Sequence, residues 1–198
     1  MIVFYLTHAQ VDVEPSRPVP LWRLSERGRG RINAVRNAAW LRTVTRLISS
    51  AETKAVETAA MLAEQLGIPL EVHAQMGEND RSSTGFLEPQ QFEAAADRFF
   101  ADPHVSWNGW ERAVDAADRI ETAVRHALSE KPSSGPVLLV GHGAVGTLLK
   151  CRIGGRALAR SEDQPHGGGN VFAFDLAAGK ILCDWTAIED FDVEFAHS

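Results

Sequence analysis

Cysteine is nearly absent from this chain: of 198 residues only Cys151 and Cys183 carry a thiol, far apart and in no metal-ligand spacing. That usage suits a reducing compartment with ordinary buried thiols rather than a structural disulfide. Long apolar runs are missing too. None approaches the roughly 20 residues of a transmembrane helix, and no lipidation motif is evident, so no membrane association is expected. The opening Met1-Ile2-Val3-Phe4-Tyr5-Leu6 lacks a basic leader and a long hydrophobic region, and reads as a core strand rather than a secretory signal. A cytoplasmic protein is the expectation. Positive charge is short as well: 20 Lys and Arg stand against 26 Asp and Glu, for a formal net charge of −6. This argues against a nucleic-acid partner while leaving room for a local basic pocket.

What is present is a strand-and-helix pattern. Residues 2–6, 43–49 and 136–141 are short apolar runs of the kind buried on both faces of a sheet. Between them Trp110, Val114, Ala117, Ile120, Val124 and Leu128 recur at helical spacing, as do Ala55, Ala59, Leu62 and Leu66, with Gly67 and Pro69 as a stop. Residues 170–176 and 180–186 flank an Ala-Ala-Gly turn and predict a hairpin. The fold class expected is α/β: a three-layer sandwich with a mainly parallel central sheet, helices on both faces and the hairpin at the sheet edge. One domain over 1–198 suffices, with a helical cap insertion at about 88–130. Residues 11–23 and 78–90 read as loops able to carry a site, and 189–198 as a loosely docked tail.

Two of these apolar strands end in histidine, at Thr7-His8 and Gly141-His142. In a parallel sheet both ends share one edge, where open α/β folds place ligands, so the two imidazoles are expected across one pocket. A helix begins straight after His142, and its free N–H groups favour an anion there, with phosphate the natural guess.

Leu6-Thr7-His8-Ala9-Gln10 resembles the Leu-x-Arg-His-Gly-Glu/Gln opening of the histidine phosphatase superfamily, in its phosphoglycerate mutase-like branch. Further segments follow in order. Leu24-Ser25-Glu26-Arg27-Gly28 is similar to the family's Leu-Thr-x-x-Gly helix start, and Ser49 to Ala59 to its Ser-Ser-Pro-Leu-x-Arg-Ala-x-Gln-Thr-Ala segment. Met76-Gly77-Glu78 sits where the family carries Leu-x-Glu, and Val140-Gly141-His142-Gly143 matches its second histidine. The resemblance implies a metal-independent, cofactor-free phosphomonoester hydrolase with His8 as nucleophile, His142 stabilising the transferring phosphoryl group and Glu78 as proton donor and acceptor. Burial or phosphate charge should raise the Glu78 pKa. The implied partner is a small phosphorylated substrate or inorganic phosphate; oligomeric state is not legible.

The chain departs from that pattern. Thr7 and Lys54 stand where the family has its two phosphate-binding arginines, which should weaken the grip on phosphate. Thr7, Gln10, Lys54, Arg81 and Gly143 form the expected phosphate-binding set, with Arg81 as replacement cation and Arg23 as a second candidate. Ala9 replaces a glycine. The losses open another reading, a degenerate phosphatase-like domain that binds a phosphorylated ligand without turnover, and they disfavour a mutase-type phosphotransferase. A metal held by His8 and His142 has no third ligand at a recognisable spacing. Gly141-His142-Gly143-Ala144-Val145-Gly146 also matches the dinucleotide fingerprint Gly-x-Gly-x-x-Gly, with Glu162-Asp163 about 20 residues on, so a dinucleotide-binding domain is a further alternative.

Overall fold

In the computed structural model, which describes residues 1–192, the apolar runs fall into one six-stranded sheet. In chain order the elements are β1 (Ile2–Thr7), α1 (Glu26–Val35), β2 (Arg46–Ser50), α2 (Thr53–Leu66), β3 (Leu70–His73), α3 (Pro89–Ala101), α4 (Ala113–Glu130), β4 (Val137–Gly141), α5 (Gly143–Gly154), β5 (Asn170–Asp175) and β6 (Lys180–Ala187). The sheet order is β3-β2-β4-β1-β5-β6. β1 to β4 run parallel, while β5 and β6 form the antiparallel hairpin at one edge. This is the expected α/β sandwich.

Alternation along the strands sends side chains to two cores. Phe4, Leu6, Leu47, Leu138 and Val140 pack with Ile32 of α1 and Ala55, Ala59 and Leu62 of α2. Val3, Tyr5, Ile48 and Leu139 pack on the opposite face with α3, α4 and α5. Within the segment expected as a cap, the stripe Ala113, Ala116, Ile120 and Val124 of α4 is wholly buried against this second face, so α4 is a layer helix. Only α3 and the turns around it border the cavity described below.

Element bounds moved little: β2 starts at Arg46 rather than 43, because a short 3-10 turn covers Trp40–Thr43. The tail behaves differently from expectation up to residue 192. Phe191 is buried, with its ring 5.8 Å from Phe4 and 5.0 Å from Trp40, and Glu189 pairs with Arg31 at 2.5 Å. An aromatic side chain that can fill the gap beside α1 docks the chain there. Phe195 and His197 lie outside the described residues. Both cysteines are free, and among the described residues no helix is long and apolar enough to cross a membrane.

Candidate active site

Parallel pairing of β1 with β4 sets Thr7 against Gly141, so the next residues, His8 and His142, leave the sheet side by side. The His8 N–H donates to Gly141 O at 2.9 Å, and the two imidazole centroids lie 5.4 Å apart at 66°. Ser50 ends β2, the strand on the other side of β4, and brings its hydroxyl to the same edge.

Each ring is fixed by its neighbours. His8 Nδ1 lies 2.8 Å from Ala9 O. A carbonyl can only accept, so Nδ1 carries the proton and Nε2 keeps its lone pair. Burial, with the charge of Lys54, lowers the His8 pKa to about 4, and the ring is neutral at pH 7. His142 is fully buried, and that burial holds its pKa well below 6.5. Its Nε2 is 2.7 Å from Ser50 Oγ, while Nδ1 has no protein partner. Ser50 Oγ accepts the Glu52 N–H at 3.2 Å and has a proton to give His142 Nε2; with that proton donated to Nε2, Nδ1 is the protonated donor. The His142 backbone is gripped by Tyr5, whose Oη accepts the His142 N–H at 3.0 Å and donates to its carbonyl at 3.2 Å.

That tyrosine accounts for the glycine pattern. A Cβ on Gly141 would lie 2.8 Å from Tyr5 Cζ, one on Gly146 3.0 Å from the same atom, and one on Gly143 would overlap the Gln164 amide. The glycines make room for Tyr5 and Gln164, and a neighbouring antiparallel β5 replaces the second βαβ unit a dinucleotide fold requires.

The helix start after His142 does hold an anion, but it is the protein's own. Glu78 accepts the Val145 N–H at 3.1 Å and the Ala144 N–H at 3.3 Å, together with the Asn79 N–H at 3.2 Å. The phosphate expected against those amides is displaced from them because a carboxylate on the loop after β3 reaches the same dipole end. Burial nevertheless raises the Glu78 pKa above 4.5, with Arg81 opposing and Glu52 adding to the rise.

The expected phosphate-binding set divides. Arg81 stacks over the Phe92 ring at 4.8 Å and, among the described residues, forms no ion pair, so its charge faces the cavity unspent. Gly143 lines that cavity with His8, Glu78 and Arg81; its volume is about 230 Å³. A neighbouring hollow of about 610 Å³ shares Glu78, Asn79 and Arg81 and runs along Pro18, Val19 and Phe86. Thr7 is wholly buried, donating to Gln164 Oε1 at 2.8 Å and accepting the Asn170 N–H at 3.0 Å. Gln10 lies against Gly167 with its Oε1 buried and unpartnered. Lys54 is buried, bonded to Val19 O at 3.0 Å and paired with Glu52. Arg23 is tied to Glu57 at 2.7 Å and supplies no cation here.

Sequence reasoning missed Glu52. Its Oε1 accepts the Glu78 N–H at 2.8 Å and lies 3.6 Å from His142 Nε2, and its Oε2 holds Lys54. Burial works to raise its pKa, but the charge of His142 when that ring is protonated, the charge and hydrogen bond of Lys54, and the Glu78 N–H outweigh it and lower the pKa to about 2. The signal was present, since Glu52 occupies a leucine position of the resembled motif two residues before the lysine that replaces arginine. Arg160, Gln164 and His166 also reach the cavity wall, from a loop with no motif of its own. No group of three or more His, Cys, Asp or Glu among the described residues is placed to hold a metal ion.

Comparison with known proteins gives the family and the fold. The model of the histidine phosphatase superfamily (branch 1) matches residues 16–187, so the segment carrying His8 precedes the matched stretch and rests on its position in the structure. Mycobacterial glucosyl-3-phosphoglycerate phosphatase bound to VO3 superimposes with a TM-score of 0.73 at 24% identity, over 88% of this chain and 92% of that one. A Bacillus stearothermophilus protein, YhfR, gives 0.75 at 20%, over 96% and 98%. Phosphoserine phosphatase from Entamoeba histolytica, solved with 3-phosphoglyceric acid, gives 0.73 at 11%, over 94% and 96%. Identities this low establish a shared fold. None of the curated proteins matches this sequence.

Proposed function

The chain belongs to the histidine phosphatase superfamily, branch 1, and from that premise we propose that it hydrolyses phosphomonoesters through a phosphohistidine on His8. The observation that carries the proposal is a neutral imidazole with its Nδ1 proton fixed on Ala9 O, facing a second neutral imidazole at 5.4 Å beside a carboxyl of raised pKa.

In the first step His8 Nε2 attacks phosphorus, the bond to the leaving oxygen breaks, and protonated Glu78 gives that oxygen its proton. His142 Nδ1–H donates to a phosphoryl oxygen, held on target by Ser50 at Nε2 and Tyr5 at the backbone. Arg81 supplies the positive charge, with Gly143 and Gln10 at the edges of the site. In the second step water attacks phosphorus, Glu78 carboxylate takes its proton, and the Nε2–P bond breaks. Thr7 acts one step removed, by fixing Gln164 in the cavity wall. The leaving group lies in the larger hollow along Pro18, Val19 and Phe86, which meets the phosphoryl site at Glu78 and Arg81. The reaction as drawn calls on no metal or organic cofactor. Its substrate is a small phosphorylated molecule.

A second reading, ligand binding without turnover, is favoured by one observation: Lys54 is already neutralised by Glu52. Hydrolysis of an aryl phosphate separates the two. Turnover that disappears in His8→Ala, with the far-UV spectrum unchanged, supports the enzyme; activity retained in that variant removes His8 from the reaction. Absence of turnover in the wild type, with inorganic phosphate still bound, selects the binder.

A further inference from the structure

Two carboxylates, not one, border the space open to a substrate: Glu78 lines both hollows, and Glu52 lines the larger one. Glu78 has the helix amides and, in the proposed reaction, a use for its proton. Glu52 has no such task, yet it touches three members of the site: Lys54, His142 and the Glu78 backbone. Its side chain is 13% exposed and Lys54 is 3% exposed, so this pair is held inside the protein rather than in solvent. Lys54 Nζ also donates to Val19 O at 3.0 Å. The lysine that stands in the second cation position therefore reaches no free anion while Glu52 holds it.

We infer that Glu52 is an affinity- and specificity-determining residue: its carboxylate competes with the substrate's phosphoryl oxygens for Lys54 and sets a weak grip on phosphate. Substrate binding then exchanges one anion for another at the ammonium instead of adding a new ion pair. With Glu52 opposing Lys54, Arg81 is left as the net positive charge of the site, and phosphate alone is held poorly. Recognition shifts to the part of the substrate lying in the adjoining hollow along Pro18, Val19 and Phe86. The site accordingly selects phosphomonoesters with a sizeable leaving group over inorganic phosphate. This inference rests on the phosphate-site reading given above.

Calorimetric titration with inorganic phosphate at pH 7 tests it on the wild type, Glu52→Gln, Glu52→Leu and Glu52→Gln/Lys54→Met. Removing a unit negative charge a few ångströms from the bound anion tightens phosphate by about ten- to hundredfold at protein-like screening. Both single variants should show that gain, and the double variant should lose it. A merely structural role for Glu52 predicts weaker binding in both single variants, because a buried ammonium would be stranded. Phosphate bound by the wild type with an equal or weaker affinity in both single variants overturns the inference and leaves the phosphatase reading standing. Phosphate bound by none of the four proteins also overturns the inference, and hydrolysis of an aryl phosphate by the wild type then decides separately whether the phosphatase reading stands.

Discussion

Replacing Glu78 by Gln separates proton transfer from everything else this side chain does. Its Oε1 accepts the Val145 and Asn79 N–H groups and its Oε2 accepts that of Ala144. A glutamine keeps the first oxygen but turns an NH2 toward the Ala144 N–H, so one donor is stranded. That costs about 1–3 kcal/mol of stability, a loss that an ordinary domain at about 5–15 kcal/mol survives. The catalytic effect is larger and depends on the substrate. An alkyl phosphate expels a basic alkoxide and needs the full proton transfer, so its turnover should fall by about 10²–10⁴-fold, or about 2.7–5.5 kcal/mol of barrier. An aryl phosphate with an acidic phenol leaves largely unaided, and its first step should fall by less than about tenfold. Release of the alcohol and of the phenol, measured on one preparation in single turnover, isolates the first step and reads the difference. Equal losses on both, or a greater loss on the aryl phosphate, would refute the assignment of Glu78 as the acid.

The same assignments fix the pH behaviour. His8 must be neutral and has a pKa of about 4, while Glu78 must be protonated and has a pKa raised above 4.5. The kcat/KM for an alkyl phosphate should rise as pH climbs past about 4 and fall as Glu78 ionises, and Glu78→Gln should erase the upper limb. Stability follows His8 in a defined sense. Its folded pKa lies below the unfolded 6.5, so the unfolded chain binds the extra proton, and about 3 kcal/mol is lost as pH falls from 6.5 toward 4. Urea midpoints at pH 7 and 4.5 should show that loss in the wild type and a smaller one in His8→Ala. Tyr5→Phe strands the His142 N–H and carbonyl and should cost about 2–4 kcal/mol by thermal unfolding; an unchanged midpoint would mean that hydroxyl holds nothing. Arg81→Met, removing the unpaired guanidinium over Phe92, should raise KM for an aryl phosphate by about 10- to 100-fold. Unchanged KM would place the phosphate elsewhere.

The parts of this site that were legible in sequence share a physical cause. A buried parallel strand announces itself by a continuous apolar run, and a histidine at its end must emerge at the sheet edge. Thr7-His8 and Gly141-His142 therefore located each other before any coordinate was known, through the β1–β4 register. α2 and α4 were equally visible from their apolar stripes. β3 escaped because it is an edge strand with Val72 exposed, whereas α3 falls within the helical insertion expected at about 88–130, its stripe Phe92, Ala95, Ala96, Phe99 and Phe100 facing the core. At the site, what failed was partner choice. Free amides at the start of α5 imply an anion, but nothing local says whether phosphate or Glu78 fills them. Lys54 in an arginine position implies a phosphate ligand until Glu52, two residues away, is seen to hold it. Gly141 and Gly146 imply close approach, and only the fold shows that the approaching group is Tyr5.

The account turns on a covalent bond between phosphorus and His8 Nε2. Mixing the protein with a radiolabelled aryl phosphate, quenching in alkali and mapping the label measures that bond directly. The prediction is label on the peptide containing His8, stable in base and released by acid, absent from His8→Ala and appearing no later than the phenol. Phenol release in the first turnover without label on the protein, or with label on another residue, would contradict it.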